Sequence, residues 1–302
     1  MNLPKKLRFK TPAKINLGLL IHSKRADGFH ELETLLQMVA WFDELELERT
    51  LEKVDLFCDT PGIPNDETNL VVKAARLLQK YFPNRCGGVK ITLKKNIPSG
   101  AGLGGGSGNA AGTLFALNYL WDLKLPRKDL IEISAELGSD VPFFLVSPCA
   151  IGTGRGEILQ PIKNPINFYV LMVYPNFPVP TAWVYGNLKL KLTKSKNNIS
   201  ILANFLTHSE FAQLGKALCN DLETVVFKRY PEILGIKNEL LSLGAGGALL
   251  SGSGSTVFGI FDNPDLAKIA LARFATEKYK VFLAKSVKSF SEFFPDEMIQ
   301  AF

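Results

Sequence analysis

Between Gly100 and Gly108 the chain places six glycines in nine residues, within Ile97-Pro98-Ser99-Gly100-Ala101-Gly102-Leu103-Gly104-Gly105-Gly106-Ser107-Gly108-Asn109-Ala110-Ala111. Glycine admits φ > 0 and, lacking Cβ, lets a ligand lie against the backbone. A strand is expected before the stretch, at Gly88 to Leu93, and a helix after it, at about Asn109 to Trp121. N–H groups at a helix start point outward with a partial positive charge, so a glycine run opening into a helix is a phosphate cradle. Pro98, Gly100, Ala101, Gly102, Leu103, Gly104, Gly105, Gly106, Ser107 and Gly108 are the candidate nucleotide-binding residues. Ser107 adds a hydroxyl for a phosphate or a Mg²⁺ ion.

Two familiar phosphate motifs do not account for the stretch. GxxxxGK[ST] is absent. A formal GxGxxG match falls at Gly100, Gly102 and Gly105. A dinucleotide fold would also need an acidic residue about 20 positions on, at the end of a second strand. Asp122 has roughly that spacing but lies at a helix end, so the context fails.

A second chemical feature is Asp140. It follows an expected helix, Leu130 to Leu137, closed by Gly138 as a C-cap glycine. It precedes an apolar run, Val141 to Val146, read as a short strand. A carboxylate at that junction has little reason to be buried.

These residues need a scaffold. Phe9 to Ile21 reads as strand interrupted at Pro12-Ala13-Lys14-Ile15-Asn16, and Asp43 to Leu47 and Val54 to Cys58 read as short strands. Thr68 to Tyr81 has helical spacing at Leu70, Val71, Ala74, Leu77 and Leu78, with cap residues at Asn65 to Thr68. Phe168 to Tyr174 is a strand. Helices are expected at Ile199 to Leu206, Leu222 to Phe227, Glu232 to Leu243 and Leu266 to Lys278. Strands are expected after Ser251 to Ser255 and at Lys280 to Val287. The order is mixed, which favours an α+β fold over a regular βαβ repeat. At 302 residues, two domains are expected. We place the division at 160/161, near the only shift in composition, the Pro- and Lys-rich stretch Pro175 to Lys196.

Composition narrows the function classes. The four cysteines, Cys58, Cys86, Cys149 and Cys219, form no CxxC pair and read as reduced thiols. Three histidines argue against a histidine-built metal site. The net charge is +6 and the pI about 9.0. The densest basic runs, Lys189 to Lys196 and Lys5 to Lys10, are not interleaved with aromatics as a single-strand-binding stripe would be. Nucleic acid is therefore not expected as a partner, whereas a phosphate-rich small molecule suits the sign of the charge. No secretory h-region and no run of about 18 apolar residues is seen, so the expected compartment is the cytoplasm, away from a membrane.

Three separated segments resemble one superfamily, the GHMP kinases (galactokinase, homoserine, mevalonate and phosphomevalonate kinases). They are Thr11-Pro12-Ala13-Lys14-Ile15-Asn16-Leu17, the glycine stretch, and Leu250-Ser251-Gly252-Ser253-Gly254-Ser255-Thr256-Val257-Phe258. Finer segments resemble the branch acting on 4-diphosphocytidyl-2-C-methyl-D-erythritol in the non-mevalonate isoprenoid route. These are Arg25-Ala26-Asp27-Gly28-Phe29-His30-Glu31-Leu32, Gly102-Leu103-Gly104-Gly105-Gly106-Ser107, Gly138-Ser139-Asp140-Val141-Pro142-Phe143-Phe144 and Asn220-Asp221-Leu222-Glu223. The resemblance implies two domains, a ribosomal protein S5 domain 2-like N-terminal part and a C-terminal part with a ferredoxin-like core, with the site in the cleft between them. It implies ATP and Mg²⁺, and a cytidine-diphosphate-linked methylerythritol as the small-molecule substrate. It implies Asp140 as the base on the acceptor hydroxyl and Lys14 as its catalytic partner. It also implies Phe29, His30 and Tyr185 around the cytosine, Gly252 and Ser253 on the floor, and Asn69 and Lys94 to Pro98 near the adenine.

One departure stands out. The family pattern Gly-Gly-Gly-Ser-Ser-Asp-Ala-Ala here carries Gly108 and Asn109 in place of the second Ser and the Asp. Asn109 is expected to cap the following helix, while a hydroxyl and a carboxylate near the phosphates are lost. Three readings stand at this point: the cytidylyl-substrate kinase, another GHMP kinase of mevalonate or homoserine type, and a catalytically silent nucleotide-binding relative. The Mg²⁺ ligands and the oligomeric state stay open.

Overall fold

The computed structural model describes residues 4–163, 165–189 and 198–300. The chain opens with two long strands, β1 (Lys6–Lys24) and β2 (His30–Thr50), paired antiparallel along nearly their whole length. The break expected at Pro12 to Asn16 is a pair of register shifts inside a continuous strand, between Pro12 and Ala13 and between Asn16 and Gly18. Proline has no N–H for the ladder, so a bulge is where a sheet tolerates it. β2 is far longer than the Asp43–Leu47 strand expected. Its middle, Leu35 to Val39, is buried on both faces, so the run lacks the alternation that marks a half-buried strand.

The first sheet continues with β3 (Val54–Phe57), then helix α1 (Leu70–Tyr81), then β4 (Gly88–Lys94). Helix α2 (Gly105–Leu120) follows, then α3 (Arg127–Ser134), α4 (Phe143–Val146), β5 (Cys149–Thr153) and β6 (Ile158–Pro161). The run after Asp140 is thus the short helix α4. Its phenylalanines, Phe143 and Phe144, pack into the core beneath α2. The path β3-β4-β2-β1 carries β5 and β6 on the other half of β2. Buried side chains of α1 and α2, among them Val71, Leu78, Leu114 and Leu117, join Leu47 and Ile91 of the sheet in one core.

The second half contributes β7 (Tyr169–Tyr174), α5 (Thr181–Gly186), α6 (Ile199–Thr207), α7 (Phe211–Ala217) and β8 (Cys219–Asn220). Then come α8 (Glu223–Arg229), α9 (Pro231–Ser242), β9 (Gly247–Leu250), β10 (Val257–Phe261), α10 (Pro264–Phe274) and β11 (Lys280–Lys285). A four-stranded antiparallel sheet runs β11-β7-β10-β9. Successive β7 residues serve opposite faces. Val170 and Met172 face the core shared with Ile15, Leu17 and Leu103, while Leu171 and Val173 face that of α9 and α10. β8 leaves its neighbours in sequence and pairs parallel with β1. Of the basic stretch Lys189 to Lys196, only Lys189 lies within the described residues.

Candidate active site

A cavity of about 980 Å³ opens where the two sheets meet. The glycine stretch forms one wall. Pro98 through Ser107 all line it. The helix begins four residues earlier than expected, at Gly105, with Gly104 as N-cap at φ 67°. A side chain is excluded at Gly102, whose φ is 77° and whose Cβ would fall 2.1 Å from the Ser251 carbonyl oxygen. The loop is fixed from both sides. Lys14 N donates to Leu103 O at 2.9 Å, and Ser251 Oγ donates to Gly102 O at 2.9 Å. The first N–H groups of a buried 16-residue helix therefore face the cavity from a rigid frame.

Lys14 rises from β1 into the same cavity and is buried to 4 % exposure. Its Nζ donates to Asn16 Oδ1 at 2.7 Å and lies 3.7 Å from Asp140 Oδ2. Asn16 Nδ2 donates to Thr34 Oγ1, which donates to Gly18 O, so the lysine's polar partner is itself held. Asp140 sits in the turn between α3 and α4 with its side chain 44 % exposed. Its carboxylate is open to a ligand, while the lysine is not open to bulk water. Gly252 completes this end: a Cβ there would lie 3.3 Å from Lys14 Nζ. Ser253 also lines the cavity and shares a hydrogen bond with Thr181 of α5 at 2.8 Å.

The other end carries aromatics. His30 and Tyr185 face each other with ring centroids 5.1 Å apart. Burial, with the charge of Lys24, holds the His30 imidazole below its usual value, so its neutral form is favoured. Burial, and then the negative charge of Asp140, pushes the Tyr185 phenol up. Phe29 precedes β2 in a turn closed by Asp27, whose carboxylate accepts from Phe29 N at 3.1 Å. The phenylalanine remains 52 % exposed. Thus Lys14, Asp140, the loop, Phe29, His30, Tyr185, Gly252 and Ser253 all border one space.

Residues 69–147 match the GHMP kinases N terminal domain, and residues 201–281 match the GHMP kinases C terminal domain. A relative from Chlorobium phaeobacteroides, named 4-diphosphocytidyl-2-C-methyl-D-erythritol kinase, is 42% identical over 91% of this chain and 96% of its own. The chain belongs to the GHMP kinases. A relative of the same name from Syntrophus aciditrophicus is 44% identical over 87% of this chain and 93% of its own. A crystal structure of 4-(cytidine 5'-diphospho)-2C-methyl-D-erythritol kinase superposes with a TM-score of 0.81 at 31% identity, covering 94% of this chain and all (100%) of the other. The Cytophaga hutchinsonii homoserine kinase, at 20% identity, shares the fold with a TM-score of 0.77 over 95% of this chain and 96% of its own.

The departure from the GHMP pattern lies away from the cavity. Asn109 is not the helix cap: it is the fifth residue of α2, 1 % exposed, and its side chain turns inward. Its Nδ2 donates to Thr11 Oγ1 at 2.7 Å and Asp43 Oδ2 at 2.9 Å, and its Oδ1 accepts from Lys95 at 3.0 Å. Lys95 is ion-paired with the fully buried Asp43, whose other oxygen accepts from Asn96 N and Ile97 N. Gly108 is also outside the cavity wall; a Cβ there would meet Pro12 O at 3.1 Å and the Phe144 ring at 3.2 Å. Asn69, expected near the adenine, caps α1 by accepting from Val71 N, and its amide donates to Pro64 O.

Several residues at the site had no role assigned from sequence. Asn16 lies two positions from Lys14, and that period-2 spacing within a strand was the available signal. Asn220 clamps the third glycine segment, donating to Leu250 O and Gly252 O at 2.9 and 2.8 Å. Asp221 accepts from Ile21 N, and Glu223 accepts from Leu250 N. The Ile21–Asp221 contact spans 200 residues and the others 27 to 32, distances no local pattern shows. Among the described residues no group of three or more His, Cys, Asp and Glu gathers as a metal site.

Proposed function

We propose that the chain transfers the γ-phosphoryl group of ATP to the 2-hydroxyl of 4-diphosphocytidyl-2-C-methyl-D-erythritol, a step of non-mevalonate isoprenoid precursor synthesis. The observation that carries the reading is the Lys14–Asp140 pair, 3.7 Å apart, bordering the same cavity as the helix-opening glycine loop. The names of relatives more than 40% identical over most of their length support the acceptor.

Phosphoryl transfer asks a protein mainly for positioning and charge stabilisation. The N–H groups from Gly104 to Ser107 bind the phosphate oxygens, aided by the positive end of α2. Asp140 takes the proton of the acceptor hydroxyl as its oxygen attacks phosphorus, a contribution of about 10²–10⁴-fold. Lys14, held by Asn16, orients that carboxylate and favours the developing alkoxide. His30 and Tyr185 bind the cytosine, with Phe29 packing beside them. Gly252 and Ser253 support the polyol from below.

Mg²⁺ takes oxygen ligands and is usually held by one or two carboxylates plus substrate phosphates. Asp140 and the Ser107 hydroxyl supply protein oxygens of that kind in the cavity. When bound, the ion offsets charge on the transferring phosphates. The departures at 108 and 109 leave this arrangement intact, because both positions face the protein interior.

The direct test is product identification. ATP, Mg²⁺ and the cytidylyl substrate should yield ADP and an acceptor with one new phosphomonoester on its 2-hydroxyl, located by phosphorus–proton correlation NMR. A monoester at another hydroxyl, or no transfer with ATP bound, would contradict the reading.

A further inference from the structure

Two tight turns bring Arg155 against Phe29 at the rim of the cavity. The first runs from Arg25 to Phe29. Arg25 N donates to Phe29 O at 2.8 Å, Phe29 N donates to Asp27, and Arg25 also ion-pairs with Glu31 at 2.6 Å. The second is the hairpin turn between β5 and β6. Gly156 N donates to Thr153 O at 3.0 Å, and Arg155 N donates to Glu157 Oε2 at 2.6 Å. Leu32 N donates to Gly154 O at 2.8 Å, tying this turn to β2 two residues beyond His30. The Arg155 guanidinium lies over the Phe29 ring, 4.8 Å from its centroid. Neither turn needs a ligand to form.

The guanidinium is therefore presented rather than buried. Its side chain is 31 % exposed and lines the same cavity as Lys14 and His30. Its Nε reaches Glu157 only at 3.5 Å, and its two terminal nitrogens have no hydrogen-bond partner among the described residues. A planar fork of N–H donors, oriented by stacking, matches phosphate oxygens better than a flexible ammonium does. A contact made only to keep Phe29 in place would not need this fork. Lys14 already serves Asn16 and Asp140, which leaves Lys24 and Arg155 as the lining cations for the anionic part of a nucleotide-tethered acceptor, and it is the Arg155 guanidinium that a ring orients.

We propose that Arg155 is a specificity-determining residue that binds the diphosphate of the cytidylyl acceptor, with Phe29 as the platform that orients its guanidinium. This rests on the acceptor assigned above. Arg155 would favour acceptors carrying a nucleotide diphosphate over uncharged polyols, by a route separate from base recognition at His30 and Tyr185.

The test is calorimetric titration of CDP and of cytidine into wild type, Arg155→Ala and Arg155→Lys, with the phosphate loop filled by a non-hydrolysable ATP analogue. Removing a hydrogen bond to a charged group should weaken CDP by about tenfold or more. Cytidine should change by less than about twofold, since no phosphate is present to lose. Arg155→Lys should recover part of the CDP affinity. In turnover, Arg155→Ala should raise the acceptor KM while leaving the ATP KM and kcat near wild type. Equal weakening of CDP and cytidine would mean that Arg155 only props Phe29, and unchanged CDP affinity would mean that it does neither. Both results overturn the proposal while wild-type binding of CDP leaves the acceptor assignment standing. Failure of wild type to bind either ligand would overturn the acceptor assignment, and this inference with it.

Discussion

Lys14 Nζ lies 3.7 Å from Asp140 Oδ2 across the cavity, and the two residues are 126 positions apart in the chain. One is buried on a central strand and the other stands half exposed in a turn. That asymmetry suits a base that meets substrate and a cation that does not. Asp140→Asn is expected to keep the fold and ATP affinity while kcat falls by about 10²–10⁴-fold. Rapid-quench measurement of the transfer step checks it. A variant with near-wild-type transfer would remove Asp140 from the role of base.

The phosphate loop gives a second prediction. At Gly102 a methyl group would meet the Ser251 carbonyl, and φ is 77°. Gly102→Ala is expected to raise the ATP KM by about tenfold and to cost on the order of 2 kcal/mol of stability. At Gly106, inside the first turn of α2, a Cβ would meet only Leu70 Cδ1 at 3.7 Å. Gly106→Ala is therefore expected to leave stability unchanged or slightly raised, because alanine is the better helix former. Denaturant unfolding of the two variants side by side separates loop strain from a general intolerance of substitution.

The buried cluster behind the loop should be costly to break. Asp43→Ala leaves the Lys95 ammonium without its partner and removes the acceptor for Asn96 N and Ile97 N. Breaking a buried ion pair from one side typically costs about 3–5 kcal/mol. Unfolding in urea should show a loss of that size. A loss below about 1 kcal/mol would mean that the cluster does not anchor the loop.

His30 is expected to set the pH dependence of acceptor binding. Burial and Lys24 both lower its pKa below the ordinary 6.5, so the folded protein favours the neutral imidazole. Protonation is therefore opposed until the pH falls below that value. The acceptor KM should be flat above pH 6.5 and rise on the acid side, with the ATP KM unaffected. His30→Gln should remove this acid limb. A KM that improves on acidification would show that the imidazolium is the binding form.

The features legible in the sequence were local ones. The glycine stretch reads as a phosphate cradle from its composition and its place before a helix, and the structure places it at the start of α2 on the cavity wall. The helix starts four residues before the sequence suggests, since Gly105 to Gly108 look like loop by composition and are held by Ile97, Lys95 and Phe144. The run Val141 to Val146 reads as strand in the sequence and is helical from Phe143 in the structure, because so short an apolar run does not distinguish a helix from a buried strand. Asn109 looks like a cap in the sequence because its partners Thr11, Asp43 and Lys95 lie up to 98 residues away. The same distance made the loss of the Asp look like a loss of phosphate chemistry, whereas that position faces the interior. Arg155 carried no motif, and only the two turns that press it onto Phe29 single it out.

The most direct test of the central claim is ADP release by the purified protein with ATP, Mg²⁺ and 4-diphosphocytidyl-2-C-methyl-D-erythritol, beside mevalonate, homoserine and galactose. The expected result is turnover on the cytidylyl substrate and none above background on the other three. Turnover on one of those three instead, or none on any while ATP remains bound, would contradict it.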